Sequence, residues 1–204
     1  MDSTPHSSPE EVWKQFGEFM AGFAAARELH NRAATAGTFI ESVCLGASIV
    51  DAMLRIGIVL QQQLDNRTRE IAPDLIFQGP QDKAISEREI YRRALAISVI
   101  DDATFARLQS LYDGRNRVVH RYIISRITTS DVLDIAIEYE KVITALSKRI
   151  YEIEEQQIQQ GVGITVRGPT LEGDEGKRFL EEFAEEKHTS ALAKRLRGKG
   201  SDVP

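Results

Sequence analysis

Between Gly114 and Ser130 the chain carries no acidic residue, and within that run lie Arg115, Asn116, Arg117, His120, Arg121 and Arg126. The planar fork of donors on arginine matches phosphate oxygens, so arginines concentrated without intervening acids suit a phosphate backbone. On a helix, Asn116 and His120 lie one turn apart on one face. An asparagine there can hold an imidazole or a phosphate oxygen. Arg115 is five residues from His120, which ideal helical geometry puts off that face. The two converge if Arg115 stands at a helix start, where its long side chain can wrap. Val118 and Val119 are the expected core anchors. The competing explanation is a solvated face paired with acids elsewhere, because most charge clusters and lone histidines are structural.

The elements that position this run read as helices. Ser8-Pro9-Glu10-Glu11 supplies a serine cap, a proline in the first turn and a glutamate for the cap's backbone. Val12, Phe16, Phe19, Met20 and Phe23 follow at helical spacing, and Gly37 ends the pattern. Thr38 and Glu41 predict a capping box for a second helix. Its apolar residues, among them Ile40, Val43, Cys44, Ala47, Leu54 and Ile58, cover much of its circumference, which places it at the bundle centre. Asp65 to Ile85, with Pro73, Gly79 and Pro80, reads as a long connection.

Ser86 and Glu89 cap a third helix ending near Ile100. Asp101 or Asp102 starts a fourth, with Phe105, Leu108 and Leu111 inward. Asp113-Gly114 predicts a break, and Asp113 then caps a short fifth helix from about Arg115 to Ser125. Ser130 is expected to cap a long last helix with a stripe from Val132 through Tyr139 to Ile153. Ile164 to Val166 is the one strand candidate. The expected fold is all-α, an up-down bundle of four to five helices over residues 1–160, with a charged C-terminal extension over 161–204. In that extension Leu171 to Glu186 is acidic, Phe179, Leu180 and Phe183 form a stripe, and Lys194 to Lys199 is basic. Composition favours a solvated extension there over a partner-docking helix.

Of 204 residues, 42% are hydrophobic and 28% charged, which excludes collagen-like, disulfide-stapled and wholly disordered classes. The single Cys44 fits a reducing, cytoplasmic setting. A formal charge of −5 means that any nucleic-acid contact must be local. Met1 to Pro9 is polar and lacks a basic n-region and an apolar core, so no secretory signal is expected. Val43 to Leu60 is interrupted by Asp51 and Arg55, so it reads as a buried helix and no membrane partner is expected. His6, His30 and His188 have no partners at metal-ligand spacing, and Gly161-Val-Gly163 lacks the lysine of a phosphate loop. No metal or cofactor is expected.

The order Arg115-Asn116-Arg117-Val118-Val119-His120-Arg121-Tyr122 reads R-N-x-x-x-H-x-Y. It resembles the signature of the HEPN family, small α-helical domains that include RNases of toxin–antitoxin and antiviral systems. The resemblance spans about Thr38 to Glu155. It implies a metal-independent, homodimeric endoribonuclease that acts through attack of an RNA 2′-OH on the adjacent phosphate. His120 would be the general acid or base, Arg115 would stabilise phosphate charge and Asn116 would orient one of them. Arg117, Arg121 and Arg126 would hold the RNA backbone. Tyr122 would be the residue that a nucleotidyltransferase antitoxin adenylylates. Ala94 to His120 also resembles mannitol-operon-repressor-like proteins, which implies instead a non-catalytic helical regulator. A module that binds RNA or nucleotide without cleavage would use the same arginines.

Overall fold

The computed structural model describes residues 8–79 and 82–166. The features read in Leu171 to Glu186 and Lys194 to Lys199, and at His6, Pro80 and His188, lie outside the described residues. Six helices follow in order: α1 (Pro9–Ala36), α2 (Phe39–Asn66), α3 (Pro73–Ile76), α4 (Glu87–Ala96), α5 (Asp102–Arg121) and α6 (Thr129–Gln160). The all-α, up-down character holds, with six helices where four to five are expected. The additional one is α3, a single turn within the long connection.

Helix α2 is the axis of the bundle. It packs most extensively against α6, then α1, and also touches α3, α4 and α5. By length and composition α2 could cross a membrane, yet 72% of its most apolar window is buried against the other helices. Two glycines let neighbours approach it. A Cβ on Gly57 would lie 2.7 Å from Val99 Cγ1, and one on Gly46 would lie 3.0 Å from Tyr139 Cβ.

Polar groups tie the bundle where apolar packing leaves backbone unpaired. Asp51 and Arg55 pair within α2 at 2.6 Å, and Arg55 Nη1 donates to Leu75 O at 3.1 Å, pinning α3. Burial raises the Asp51 carboxyl above its ordinary value, against the opposing charge and hydrogen bond of Arg55. His30, 2% exposed, pairs through Nδ1 with Glu140 Oε1 at 3.1 Å and so links α1 to α6. Gln157, fully buried, donates to Leu60 O at 2.8 Å and accepts from Thr165 Oγ1 at 2.7 Å. Gln63 accepts from Ile164 N at 3.2 Å.

That last pair of contacts fixes the residues after α6 and corrects one expectation. Residues 161–166 fold back onto α2 and α6 through Ile164 and Thr165. Ile164 to Val166 is a turn, not a strand.

The helix ends follow their caps. Ser8, Ser86 and Asp101 each accept from the backbone amide three residues on. At α2 the expected box is incomplete, because the Thr38 hydroxyl turns to Glu41 Oε2 at 2.9 Å and caps no amide. At α6 the cap is Thr128, with a complete box to Asp131, not Ser130. The break expected at Asp113-Gly114 is absent, and with it the separate fifth helix. Gly114 is buried inside α5, where a Cβ would meet Ile135 of α6 at 3.3 Å. Its glycine serves a close helix approach rather than a turn.

Candidate nucleic-acid interface

Helix α5 sets the geometry of the arginine run. Leu108, Leu111, Gly114 and Val118 are its buried face. Val118 is thus the core anchor, while Val119 is 43% exposed. Five residues along an ideal helix rotate by about 140°, so Arg115 and His120 stand on different faces. Arg115 lies in mid-helix, not at a helix start, and the wrap that would unite them from one chain does not arise.

Arg115 is turned toward α4. Its Nη2 meets Glu87 Oε1 at 2.6 Å, and its guanidinium lies 5.1 Å from the Tyr112 ring centroid. Arg115 Nε is buried without a partner. Glu87 Oε2 accepts from Tyr91 OH at 3.2 Å. The Tyr91 hydroxyl is pushed well above its usual range, first by burial and then by the Glu87 charge. Arg88 lies 4.5 Å from the same Tyr112 centroid and pairs with Asp113 at 2.8 Å. Glu87, Tyr91 and Tyr112 thus form the setting of Arg115. The only sequence signal for it was a glutamate in the first turn of α4, and nothing in the spacing linked that residue to α5.

The opposite side of α5 is open. Asn116 is half-buried, and Arg117, His120 and Arg121 are exposed. Asn116 and His120 keep the one-face relation expected of them. Arg32, Arg55, Arg88, Arg92, Arg93, Arg107, Arg115 and Arg149 all form ion pairs. Arg117, Arg121 and Arg126 form none with any described residue. Arg117 acts at longer range. The Asp131 carboxyl is held below its ordinary value chiefly by hydrogen bonds from Thr128, with Arg117 adding a smaller attraction.

Past Arg121 the chain turns through Tyr122 to Ser125 before α6 begins. Ile123 and Ile124 are 95% and 82% exposed, and Tyr122 is 37% exposed. The end of α5 therefore combines arginines with no ion pair among the described residues, an exposed imidazole and exposed apolar side chains. Single exposed hydrophobics are ordinary, and here two, Ile123 and Ile124, are adjacent. Among the described residues, no three His, Cys, Asp or Glu side chains gather as a metal site would need.

Comparison with protein-family models, with curated proteins and with solved structures finds no match to this chain.

Proposed function

We propose that the protein is a helical RNA-binding module whose contact surface is the C-terminal end of α5. One observation carries the reading: among the described residues Arg117, Arg121 and Arg126 form no ion pair, and they flank the exposed His120 from the last turns of α5 into the segment that follows it. Free guanidinium groups in such an array suit phosphates and hold a backbone without reading its sequence. Arg115 does not belong to that surface, because Glu87 and Tyr112 occupy its guanidinium. The exposed Val119, Ile123 and Ile124 offer a second copy an apolar seat. A two-fold pair there would set two arginine clusters side by side.

Fluorescence anisotropy with labelled RNA over a range of salt tests the reading. Each phosphate contact released by salt contributes about 0.7 to the slope of log affinity for single strands. Arg117→Ala and Arg121→Ala are expected to weaken binding of every sequence and to lower that slope by about one contact each. Binding that ignores salt, or that survives both substitutions, overturns the reading.

The second reading is metal-independent cleavage by an RNase of the HEPN type, acting as a toxin or defence effector in the cytoplasm. The accessible Asn116–His120 face favours it. His120 would move the proton of the attacking 2′-OH, and Asn116 would orient it. Arg115 would have to leave Glu87, or face a partner copy's histidine, to reach the phosphate. Tyr122 would remain reachable by a nucleotidyltransferase antitoxin. RNA incubated with excess chelator separates the two readings. Ends bearing 2′,3′-cyclic phosphate from wild type but not from His120→Ala support cleavage, and intact RNA that stays bound supports the module.

A further inference from the structure

Beside the arginine turn lies a cavity of about 490 Å³, where the α1–α2 corner meets the start of α6. Thr38, Phe39, Ile40, Glu41, Tyr122 and Val132 line it. Its size falls in the range of small-ligand sites. Ile40 is 42% exposed, so the apolar wall is open to an incoming group. Tyr122 belongs both to this wall and to the turn that follows Arg121. The opening thus adjoins the end of α5, one residue along the chain from Arg121.

We infer that this cavity takes one unstacked base of a single RNA strand. The inference rests on the RNA-binding reading and adds a strand and base preference to it. Two features choose a base over a phosphate. The walls of Phe39, Ile40, Tyr122 and Val132 are apolar and carry two aromatic rings, which suit the flat face of any base. The charged group at the rim is a carboxylate, which repels phosphate. Glu41 Oε2 is held by the Thr38 hydroxyl at 2.9 Å, and Glu41 Oε1 has no described partner. That oxygen can accept from an exocyclic amine. Cytosine presents such a donor where uracil presents a carbonyl acceptor. A duplex keeps its bases stacked and cannot enter, so the cavity selects single strands.

The test is anisotropy of the full chain with labelled oligo(C), oligo(U) and an RNA duplex of equal length, at one fixed salt concentration. Wild type is expected to bind oligo(C) at least about fivefold more tightly than the duplex, the scale of one stacked base. Oligo(U) should fall between them. Ile40→Ala and Tyr122→Ala should each bring single strand and duplex within about twofold, while the salt dependence set by Arg117 and Arg121 persists. Glu41→Gln should make oligo(C) and oligo(U) equivalent. Thermal midpoints matching wild type exclude misfolding as the cause, and Tyr122→Phe, which keeps the ring, should keep the preference. Equal wild-type affinity for single strand and duplex overturns the base site and leaves the arginine surface standing. Absence of binding to all three RNAs overturns both.

Discussion

Arg115 and Arg117 are two residues apart on one helix, and their surroundings give them different work. Arg115 faces a carboxylate at 2.6 Å and is largely enclosed, so removing it leaves Glu87 with the Tyr91 hydroxyl but no cation and uncovers Tyr112. Arg115→Ala should therefore lower stability in urea titration by about 1–3 kcal/mol, the cost of unpairing a part-buried charged hydrogen bond. RNA affinity should stay within about twofold on the module reading, since Arg115 holds no backbone. Arg117→Ala should do the reverse, leaving the urea midpoint in place while weakening binding. A stable Arg115→Ala that loses all contact with RNA would reverse these assignments. Gln157 is a second residue whose value is set by enclosure. It serves Leu60, Gln63 and Thr165 at once, and Gln157→Leu should cost about 2–4 kcal/mol by leaving those partners unpaired. Loss of protection at Thr165 in hydrogen exchange would localise the effect.

At the scale of elements, the helices were legible where a strong apolar period met a clear cap. Ser8, Ser86 and Asp101 do what their types and spacing imply, and the apolar girth of α2 correctly puts it at the centre. Sequence and structure part where one residue type has two uses. Gly114 looked like a break because its close contact with Ile135 of α6 is a tertiary fact. Thr128 and Ser130 are both capping types, and only the position of Asp131 in the folded turn decides between them. The candidate site was legible as a list of residues but not as a constellation. The one-turn relation of Asn116 and His120 survives, while the partners of Arg115 come from α4. The caps also set a pH response. Asp101 and Asp131 have carboxyls lowered from 3.8, mainly by hydrogen bonds from Thr104 and Thr128. A lowered folded-state value means stability that is fully present well above 3.8 and is lost as pH falls below 3.8 and through the lower folded value. The urea midpoint should thus begin to drop as pH approaches about 4 and go on dropping below it. The doubly substituted Asp101→Asn, Asp131→Asn protein, which keeps a capping oxygen but no titration, should show a smaller drop. An equal drop would place the acid sensitivity elsewhere.

For the whole molecule, exposed apolar side chains occur on several helices, and the two most exposed among the described residues, Ile123 and Ile124, are adjacent. The core closes around α2, yet Val119, Ile123 and Ile124 stand clear of it at one end. A second copy docking there must overcome repulsion between two arginine clusters. Apolar contact supplies that attraction, at about 25 cal/mol per Å² removed from water. Three side chains alone are too small for a stable interface of about 800 Å² per partner, so the pairing must spread onto the neighbouring turn and be salt-assisted. Sedimentation should accordingly find a dimer whose association strengthens as salt rises, opposite in sign to the effect of salt on RNA binding. Ile123→Asp with Ile124→Asp should yield a monomer with an unchanged thermal midpoint, because neither side chain contributes to the core. That monomer should bind a short RNA normally but lose about tenfold or more on an RNA long enough to cross both clusters, where linked binding had raised affinity. A wild type that stays monomeric at high salt and high concentration would rule out the paired surface and leave each α5 turn to bind RNA alone.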